Sequence, residues 1–217
     1  MINSEKVWIG NIYRPPSEAY SIILQVTIGC SHNKCTFCSM YKSKKFSIKP
    51  IEKIKSEIEY FRKRVKYAER IFLADGDAMI IPTEMLLEIL AYIKKVFPEC
   101  KRISSYATPK SIELKTNDEL RKIRESGISL LYIGLESGDD KVLEKINKGV
   151  SSDELTALCK KAKEAGFFSF SYFHSWNIRK KRLERSCCKH WEINKQDRTR
   201  LCRNPQSHAG RRNRNIY

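Results

Sequence analysis

Short apolar strand patterns alternate four times with amphipathic helix patterns, and this alternation is the feature that most limits the possible folds of the chain. The predicted strands lie at residues 22–28, 70–74, 102–107 and 130–135. Predicted helices follow at residues 51–65, 83–97, 117–126, 139–148 and 152–165. Each strand is too distant from the next for a hairpin, so the strands are expected to run parallel. The pattern predicts an α/β fold, with a sheet buried on both faces or an open barrel.

Polar residues stand at the end of each predicted strand. They are Cys30, Cys35 and Cys38 after the first, Asp75-Gly76-Asp77 after the second, Ser104-Ser105-Tyr106 in the third, and Glu136-Ser137 after the fourth. The carboxyl ends of parallel strands meet at one edge of a sheet, where α/β folds place their chemistry. The order and spacing of these strand ends predict one shared site.

The three closely spaced cysteines indicate a metal centre. Three thiols within nine residues suit an iron-sulfur cluster better than a closed zinc site, which takes four ligands. One iron of such a cluster would keep an open position. Half of a zinc ribbon, or free thiols, remain the alternatives. His32 is either a further ligand or a loop residue, whereas Cys100 and Cys159 stand in apolar patterns typical of packing residues.

The cysteine segment, Cys-Ser-His-Asn-Lys-Cys-Thr-Phe-Cys, resembles the radical S-adenosylmethionine (radical SAM) superfamily. Its spacing of four and then two residues between cysteines differs from the usual three and two. It is similar to branches of the superfamily with tRNA or sulfur chemistry. Gly76-Asp77 matches the family's Gly-Gly-Glu motif only in part, while residues 132–138, Tyr-Ile-Gly-Leu-Glu-Ser-Gly, match a common family segment more closely. The resemblance implies an incomplete (β/α)6 TIM-like partial barrel of four to five βα units.

The resemblance also implies cofactors and residue roles. Cys30, Cys35 and Cys38 would bind a [4Fe-4S] cluster, whose open iron would chelate S-adenosylmethionine (SAM). Reductive cleavage of SAM would give a 5′-deoxyadenosyl radical that abstracts hydrogen from a substrate. The implied partners are that substrate and an electron donor such as flavodoxin or ferredoxin. The implied contacts to SAM are Phe37 near the adenine, Gly76 and Asp77 at the amino group, Ser105, and Glu136 and Ser137 near the ribose and methionine.

Composition bears on compartment and partners. The first residues do not resemble a secretory signal, and no run of about 18 apolar residues occurs, so we expect a cytoplasmic protein without a membrane partner. Because the cytoplasm keeps thiols reduced, the eight cysteines are better explained by metal ligation, or by chance occurrence, than by disulfide bonds. The net charge of +17 leaves an RNA-binding module open, but residues 169–217 hold 13 Lys and Arg against 3 Asp and Glu. We therefore predict an extended lead-in at residues 1–20, a radical SAM core at 21–168, and a non-native or disordered basic tail at 169–217.

The tail has a specific interpretation. Read one base late, ordinary codons for three of its segments allow an apolar strand ending in glycine, a Pro-Asp-Tyr and an acidic turn, which resemble what the family carries there. We therefore hypothesise that the reading frame shifts near residues 167–168. Sequencing the locus and finding no such continuation in the other frame would contradict this.

Overall fold

Five parallel strands form one sheet in the part of the chain that the structure describes. A computed structural model describes the backbone of residues 7–172 and the side chains of residues 7–168. The strands, in their order across the sheet, are β1 (Ile22–Gln25), β4 (Arg70–Ala74), β5 (Arg102–Ala107), β6 (Ile128–Gly134) and β7 (Phe168–Tyr172). All four pairings between neighbours are parallel. The predicted α/β class with parallel βα units is confirmed.

Helices connect the strands. They are α1 (Ile51–Arg64), α2 (Thr83–Val96), α3 (Pro109–Glu113), α4 (Asn117–Glu125), α5 (Asp140–Lys145) and α6 (Ser152–Glu164). Helix α4 begins at a capping box in which Thr116 and Glu119 each bond the other's backbone, as the sequence predicts. Helix α6 begins with the same device at Ser151 and Glu154. No helix within residues 7–172 has the length and apolar character needed to cross a membrane.

Both faces of the sheet are buried. Phe72 packs edge-to-face against Tyr106 and Tyr132 on one face, with ring centroids 5.1 and 6.0 Å apart. Side chains alternate along a strand, so Ile71 and Leu73 lie on the other face, where both are buried. Tyrosines therefore occupy one face near the carboxyl ends of the strands, and aliphatic side chains occupy the other.

The first predicted strand divides in two. After Gln25 the chain leaves the main sheet, and β2 (Thr27–Ile28) pairs antiparallel with β3 (Ser47–Ile48). This two-residue ladder joins the beginning and end of the segment 29–46, which we call the cysteine loop. The predicted strand at residues 22–28 was therefore wrong as a single strand, because its last two residues pair within the loop and not with the sheet.

The predicted tail boundary falls within a strand. Strand β7 begins at Phe168 and pairs in parallel with β6 through Tyr172. The sheet thus continues four residues into the segment assigned to the tail. The rest of that segment, and most of the region to which the reading-frame hypothesis applies, lie outside the described residues.

Candidate functional site

A cavity of about 310 Å³ lies at the carboxyl ends of the strands. Its walls come from the lead-in, the cysteine loop, and the segments that follow β4, β5 and β6. They comprise Arg14, Pro15, Pro16, Cys30, His32, Cys35, Phe37, Cys38, Met40, Tyr41, Gly76, Tyr106, Ala107, Thr108, Pro109, Lys110, Tyr132, Gly134, Glu136, Lys148 and Gly149. Distant parts of the sequence therefore meet at the edge of the sheet where the sequence predicts a shared site.

Six of the nine predicted site residues line this cavity: Cys30, Cys35, Phe37, Cys38, Gly76 and Glu136. The other three, Asp77, Ser105 and Ser137, are buried next to the strand ends without lining it. The structure thus brings all three predicted metal ligands to one space. Half of the predicted SAM contacts reach the same space.

The cysteine thiols border the cavity in a partly desolvated setting. Burial raises the pKa of Cys30, against an opposing effect of the backbone N–H groups of Asn33 and His32. Burial also raises the pKa of Cys35, where the charge of Lys148 opposes it. Within residues 7–172, no three His, Cys, Asp or Glu side chains converge closely enough to hold a single metal ion. The three cysteines line the same cavity, and a metal group bound there would displace the protons of their thiols.

Asp75 fastens both ends of the cysteine loop to the end of β4. This fully buried carboxylate accepts hydrogen bonds through Oδ2 from the backbone N–H of Gly29, at 2.9 Å, and from Nζ of Lys44, at 2.7 Å. Gln25 Nε2 donates to the same oxygen at 3.0 Å. One carboxylate therefore holds the residue before the first cysteine and a lysine after the last one.

Gly76 lets the cysteine loop approach the end of β4. A Cβ built on Gly76 would lie 2.7 Å from Cβ of Cys30 and 2.9 Å from Cε2 of Tyr41, which real side chains do not tolerate. The backbone N–H of Gly76 also donates to Gly29 O at 3.0 Å. The absent side chain therefore explains why glycine suits this position.

Asp77 acts within the walls of the site. It is fully buried and accepts from Oγ of Ser31, at 2.5 Å, and from Oγ1 of Thr108, at 2.7 Å. Burial raises its pKa, while these hydrogen bonds lower it. Asp77 thus joins the cysteine loop to the end of β5. The structure gives it this role beside the SAM contact that the resemblance implies.

Ser105 and Ser137 make local contacts. Ser105 Oγ donates to the carbonyl of Tyr106 at 2.7 Å, and Ser137 Oγ accepts from the backbone N–H of Asp139 at 3.0 Å. Both side chains are buried. Their hydroxyls thus stabilise the ends of β5 and β6, which carry cavity residues.

Glu136 lies at a sharp backbone turn after β6. Its φ of 62° falls in the left-handed region, which few residues other than glycine adopt. Its Oε1 stands 3.3 Å from Nζ of Lys148, and both side chains are about 10% exposed. The turn directs an acid and its lysine partner to the cavity wall beside Cys35.

His32 is a loop residue that also lines the cavity. Its Nε2 donates to the carbonyl of Asn147 at 2.8 Å, and the backbone N–H of Thr36 donates to Ile146 O at 2.9 Å. The cysteine loop is thereby joined to the segment after α5. The structure supports the interpretation of His32 as a loop residue.

The sequence assigned no role in the site to Tyr41, Tyr132 or the lead-in. Tyr132 OH donates to the buried carboxylate of Glu18 at 2.5 Å, and Arg102 donates to it at 2.8 Å. This contact brings the Arg14-Pro15-Pro16 segment to the cavity wall. Burial, followed by this hydrogen bond, raises the pKa of Tyr132. Glu18 lies in a 3-10 turn, Pro16–Glu18, within the segment that the sequence predicts as extended, so no local pattern pointed to this contact.

A family model described as the radical SAM superfamily matches residues 24–176. The chain belongs to the radical SAM superfamily. The matched residues include all three cysteines, Gly76 and Glu136, so the family match contains most of the cavity wall, and only the lead-in residues of the wall precede it.

The curated relatives are distant and longer. A heme chaperone, HemW, of Bacillus subtilis is 24% identical over 101 residues, which are 46% of this chain and 27% of HemW. A putative methylthiotransferase of Methanocaldococcus jannaschii is 24% identical over 155 residues, which are 67% of this chain and 33% of that protein. The chain therefore spans about a third or less of the length of these relatives.

Solved structures show the same fold. The cobalamin-dependent radical SAM enzyme OxsB aligns with a TM-score of 0.59 at 19% identity, over 70% of this chain and 23% of OxsB. Methylornithine synthase, PylB, aligns with a TM-score of 0.53 at 18% identity, over 70% of this chain and 43% of PylB. These alignments support the partial-barrel fold of the radical SAM type.

Enzymes of the radical SAM superfamily bind a [4Fe-4S] cluster and SAM, and the residues present here fit that pair. Three thiols border one space, a number that leaves one iron of such a cluster without a protein ligand. Gly76 presents no side chain beside Cys30, and Phe37 offers an aromatic surface between the last two cysteines. The residues that line this cavity are therefore compatible with both cofactors.

Proposed function

We propose that this chain holds a [4Fe-4S] cluster on Cys30, Cys35 and Cys38 and acts as an oxidoreductase of the radical SAM type. The bound cluster would supply the electron that cleaves SAM to methionine and a 5′-deoxyadenosyl radical, which abstracts hydrogen from a substrate. The observation that carries the proposal is the meeting of the three cysteines with Gly76, Phe37 and Glu136 around one cavity inside the family match.

The residues of the chain would bind and orient the cofactors. The thiols of Cys30 and Cys35, whose pKa values burial raises, would lose their protons as iron binds. Asp75 would fix the loop that carries them, through Gly29 and Lys44. We assign Phe37 to the adenine of SAM and Glu136, oriented by Lys148, to its ribose and methionine.

Asp77, Ser105 and Ser137 remain part of the proposal in a modified form. Beside the cavity, Asp77 accepts a hydrogen bond from Thr108. Ser105 donates to the Tyr106 carbonyl, and Ser137 accepts from the Asp139 N–H. We propose that backbone groups at residues 76–77 meet the amino group of SAM, with Asp77 holding that backbone in place. Ser105 and Ser137 would support the neighbouring strand ends.

The partner and compartment follow from the chemistry. A radical SAM enzyme needs a reductant and a substrate. We propose flavodoxin or ferredoxin as the one-electron donor. We propose the cytoplasm as the compartment, because a reducing environment keeps cysteine thiols available for iron.

Anaerobic reconstitution with iron and sulfide tests the proposal. The full chain is expected to take up about four irons and to form 5′-deoxyadenosine from SAM and dithionite. Replacing Cys30, Cys35 or Cys38 by Ala should remove most of the iron and all cleavage, because each would supply one of three ligands. Cys100→Ala is the matched control and should retain both, because Cys100 does not line the cavity.

The possible results separate the alternatives. Iron uptake without SAM cleavage would support the cluster site and contradict the proposed activity of this chain. A colourless protein containing zinc would contradict the cluster and favour the zinc alternative. Full iron retention in a Cys35→Ala variant would contradict the ligand assignment.

A further inference from the structure

Tyr41 presents a buried hydroxyl that none of the described residues satisfies. Its side chain lines the cavity, the residue is 3% exposed, and its OH has no hydrogen-bond partner in the described part of the chain. A buried hydroxyl without a partner costs free energy, and buried polar groups in folded proteins are nearly always hydrogen-bonded. An unpartnered hydroxyl in a cofactor cavity therefore points to an acceptor that arrives with the cofactor.

The surroundings of the ring indicate where that acceptor lies. A Cβ on Gly76 would come within 3 Å of both Cys30 Cβ and Tyr41 Cε2, so the cysteine and the tyrosine flank the same glycine. Nζ of Lys44 lies 5.6 Å from the centre of the Tyr41 ring and is paired with Asp75. A cysteine ligand is thus a near neighbour. Oδ2 of the adjacent carboxylate is paired with the lysine, and its Oδ1 makes no hydrogen bond to Tyr41.

We propose that Tyr41 OH donates a hydrogen bond to the thiolate sulfur of Cys30 when that sulfur is bound to iron. The inference rests on the proposed function, since the acceptor is a cluster ligand. A protonated thiol is a weak acceptor, whereas a metal-bound thiolate carries negative charge and accepts well. The hydroxyl is therefore partnered in the loaded protein and unpartnered in the cofactor-free protein.

This contact makes Tyr41 a positioning residue that tunes the cluster. Hydrogen bonds to sulfur are among the features that set the reduction potential of iron-sulfur clusters. A donor stabilises the reduced state more than the oxidised state, because the reduced state carries one more negative charge. Removing the hydroxyl should therefore lower the midpoint potential.

The test compares Tyr41→Phe with wild type in the full chain. Both are reconstituted anaerobically, their iron is counted, and the potential is measured by a spectroscopically monitored redox titration without SAM. Tyr41→Phe should bind as much iron and show a lower midpoint. At a fixed solution potential, a tenfold smaller ratio of reduced to oxidised cluster corresponds to a midpoint lower by 59 mV. Tyr13→Phe is the matched control, because Tyr13 packs edge-to-face on Tyr41, 5.6 Å between centroids, without lining the cavity. It should leave the midpoint unchanged.

A second measurement uses the cofactor-free chain. Tyr41→Phe should leave the urea unfolding midpoint unchanged or raise it, because it removes an unpartnered hydroxyl. A lower midpoint would mean that the hydroxyl is already satisfied in the free protein, and it would overturn the inference.

Other outcomes also decide the question. An unshifted potential at full iron content would overturn the inference while leaving the proposed function intact. A shift that appears only when SAM is added would place the acceptor on SAM and overturn the assignment to Cys30. A wild-type chain that takes up no iron would overturn the proposed function and this inference together.

Discussion

The buried pair of Lys44 and Asp75 is the contact that most directly fixes the cysteine loop. Their side chains are 6% and 0% exposed, and Nζ lies 2.7 Å from Oδ2. Lys44→Met would leave the carboxylate buried with two neutral donors, from Gln25 and Gly29. Breaking a buried pair by removing one partner costs about 3–5 kcal/mol. We expect urea denaturation of the cofactor-free chain to show a loss of about 3 kcal/mol.

Two further variants test that explanation. Adding Asp75→Asn to Lys44→Met should restore part of the lost stability, because the uncompensated charge is removed. Lys101→Met is the exposed control: Lys101 and Glu69 are 71% and 41% exposed, and such pairs contribute about 0–1 kcal/mol. Equal losses in Lys44→Met and Lys101→Met would contradict the role of burial.

At the residue scale, the sequence identified what local spacing encodes and missed what only the fold brings together. The three cysteines, Phe37, Gly76 and Glu136 stand at predicted strand ends and all line the cavity. Tyr41 could not be assigned, because its position depends on the loop closing against Gly76, about 35 residues away in sequence. The lead-in was missed for the same reason, since Glu18 meets Tyr132 across 114 residues.

At the element scale, Glu119 joins the beginnings of two helices. Its carboxylate accepts from Oγ1 of Thr83 in α2, at 2.6 Å, and from the backbone N–H of Thr116 before α4, at 2.8 Å. These bonds, with the Thr83 hydroxyl first, lower the pKa of Glu119 to about 2. The ordinary value is 4.5, so the stabilisation is complete above about pH 4.5 and is lost as pH falls through about 2.

Glu119→Gln should therefore change the pH dependence of stability. The difference in unfolding free energy between wild type and variant is expected to be largest at neutral pH and to shrink between about pH 4.5 and 2, followed by urea denaturation at each pH. Glu154→Gln is the matched control, because Glu154 completes the capping box of α6 without a hydroxyl partner from a second helix. Its effect should have the same sign and be smaller. A difference that does not vary with pH would contradict the assignment.

Element boundaries were predictable where the local signals were strong. Strand β4 and strand β5 have their predicted bounds, and α4 begins at its predicted box, because apolar runs and caps act over a few residues. The division of the first strand into β1 and β2 was not predictable from alternation, which continues through both. Helix α3 was missed because it is only five residues long; it begins at Pro109 and is capped by the Thr108 side chain.

At the scale of the whole molecule, charge and cavity belong to different parts of the chain. Among the residues that the structure describes, those that line the cavity all lie at or before Gly149, and the sheet extends to Tyr172. Residues 173–217 hold 13 Lys and Arg against 3 Asp and Glu, which is most of the net charge of +17. We therefore expect the two properties to be separable.

A chain lacking residues 173–217 should keep its iron and lose its affinity for polyanions. The ligand set and the carboxylate that holds the cysteine loop are all retained, so iron per chain after anaerobic reconstitution should match that of the full chain. Binding to RNA should weaken strongly, with a flatter dependence on salt, because fewer lysines and arginines release counterions. Circular dichroism and urea unfolding of the shortened chain would check that it folds. Loss of iron from a folded, shortened chain would show that the basic segment contributes to the cofactor site. Equal RNA binding by both chains would show that the core, not the basic segment, attracts the polyanion.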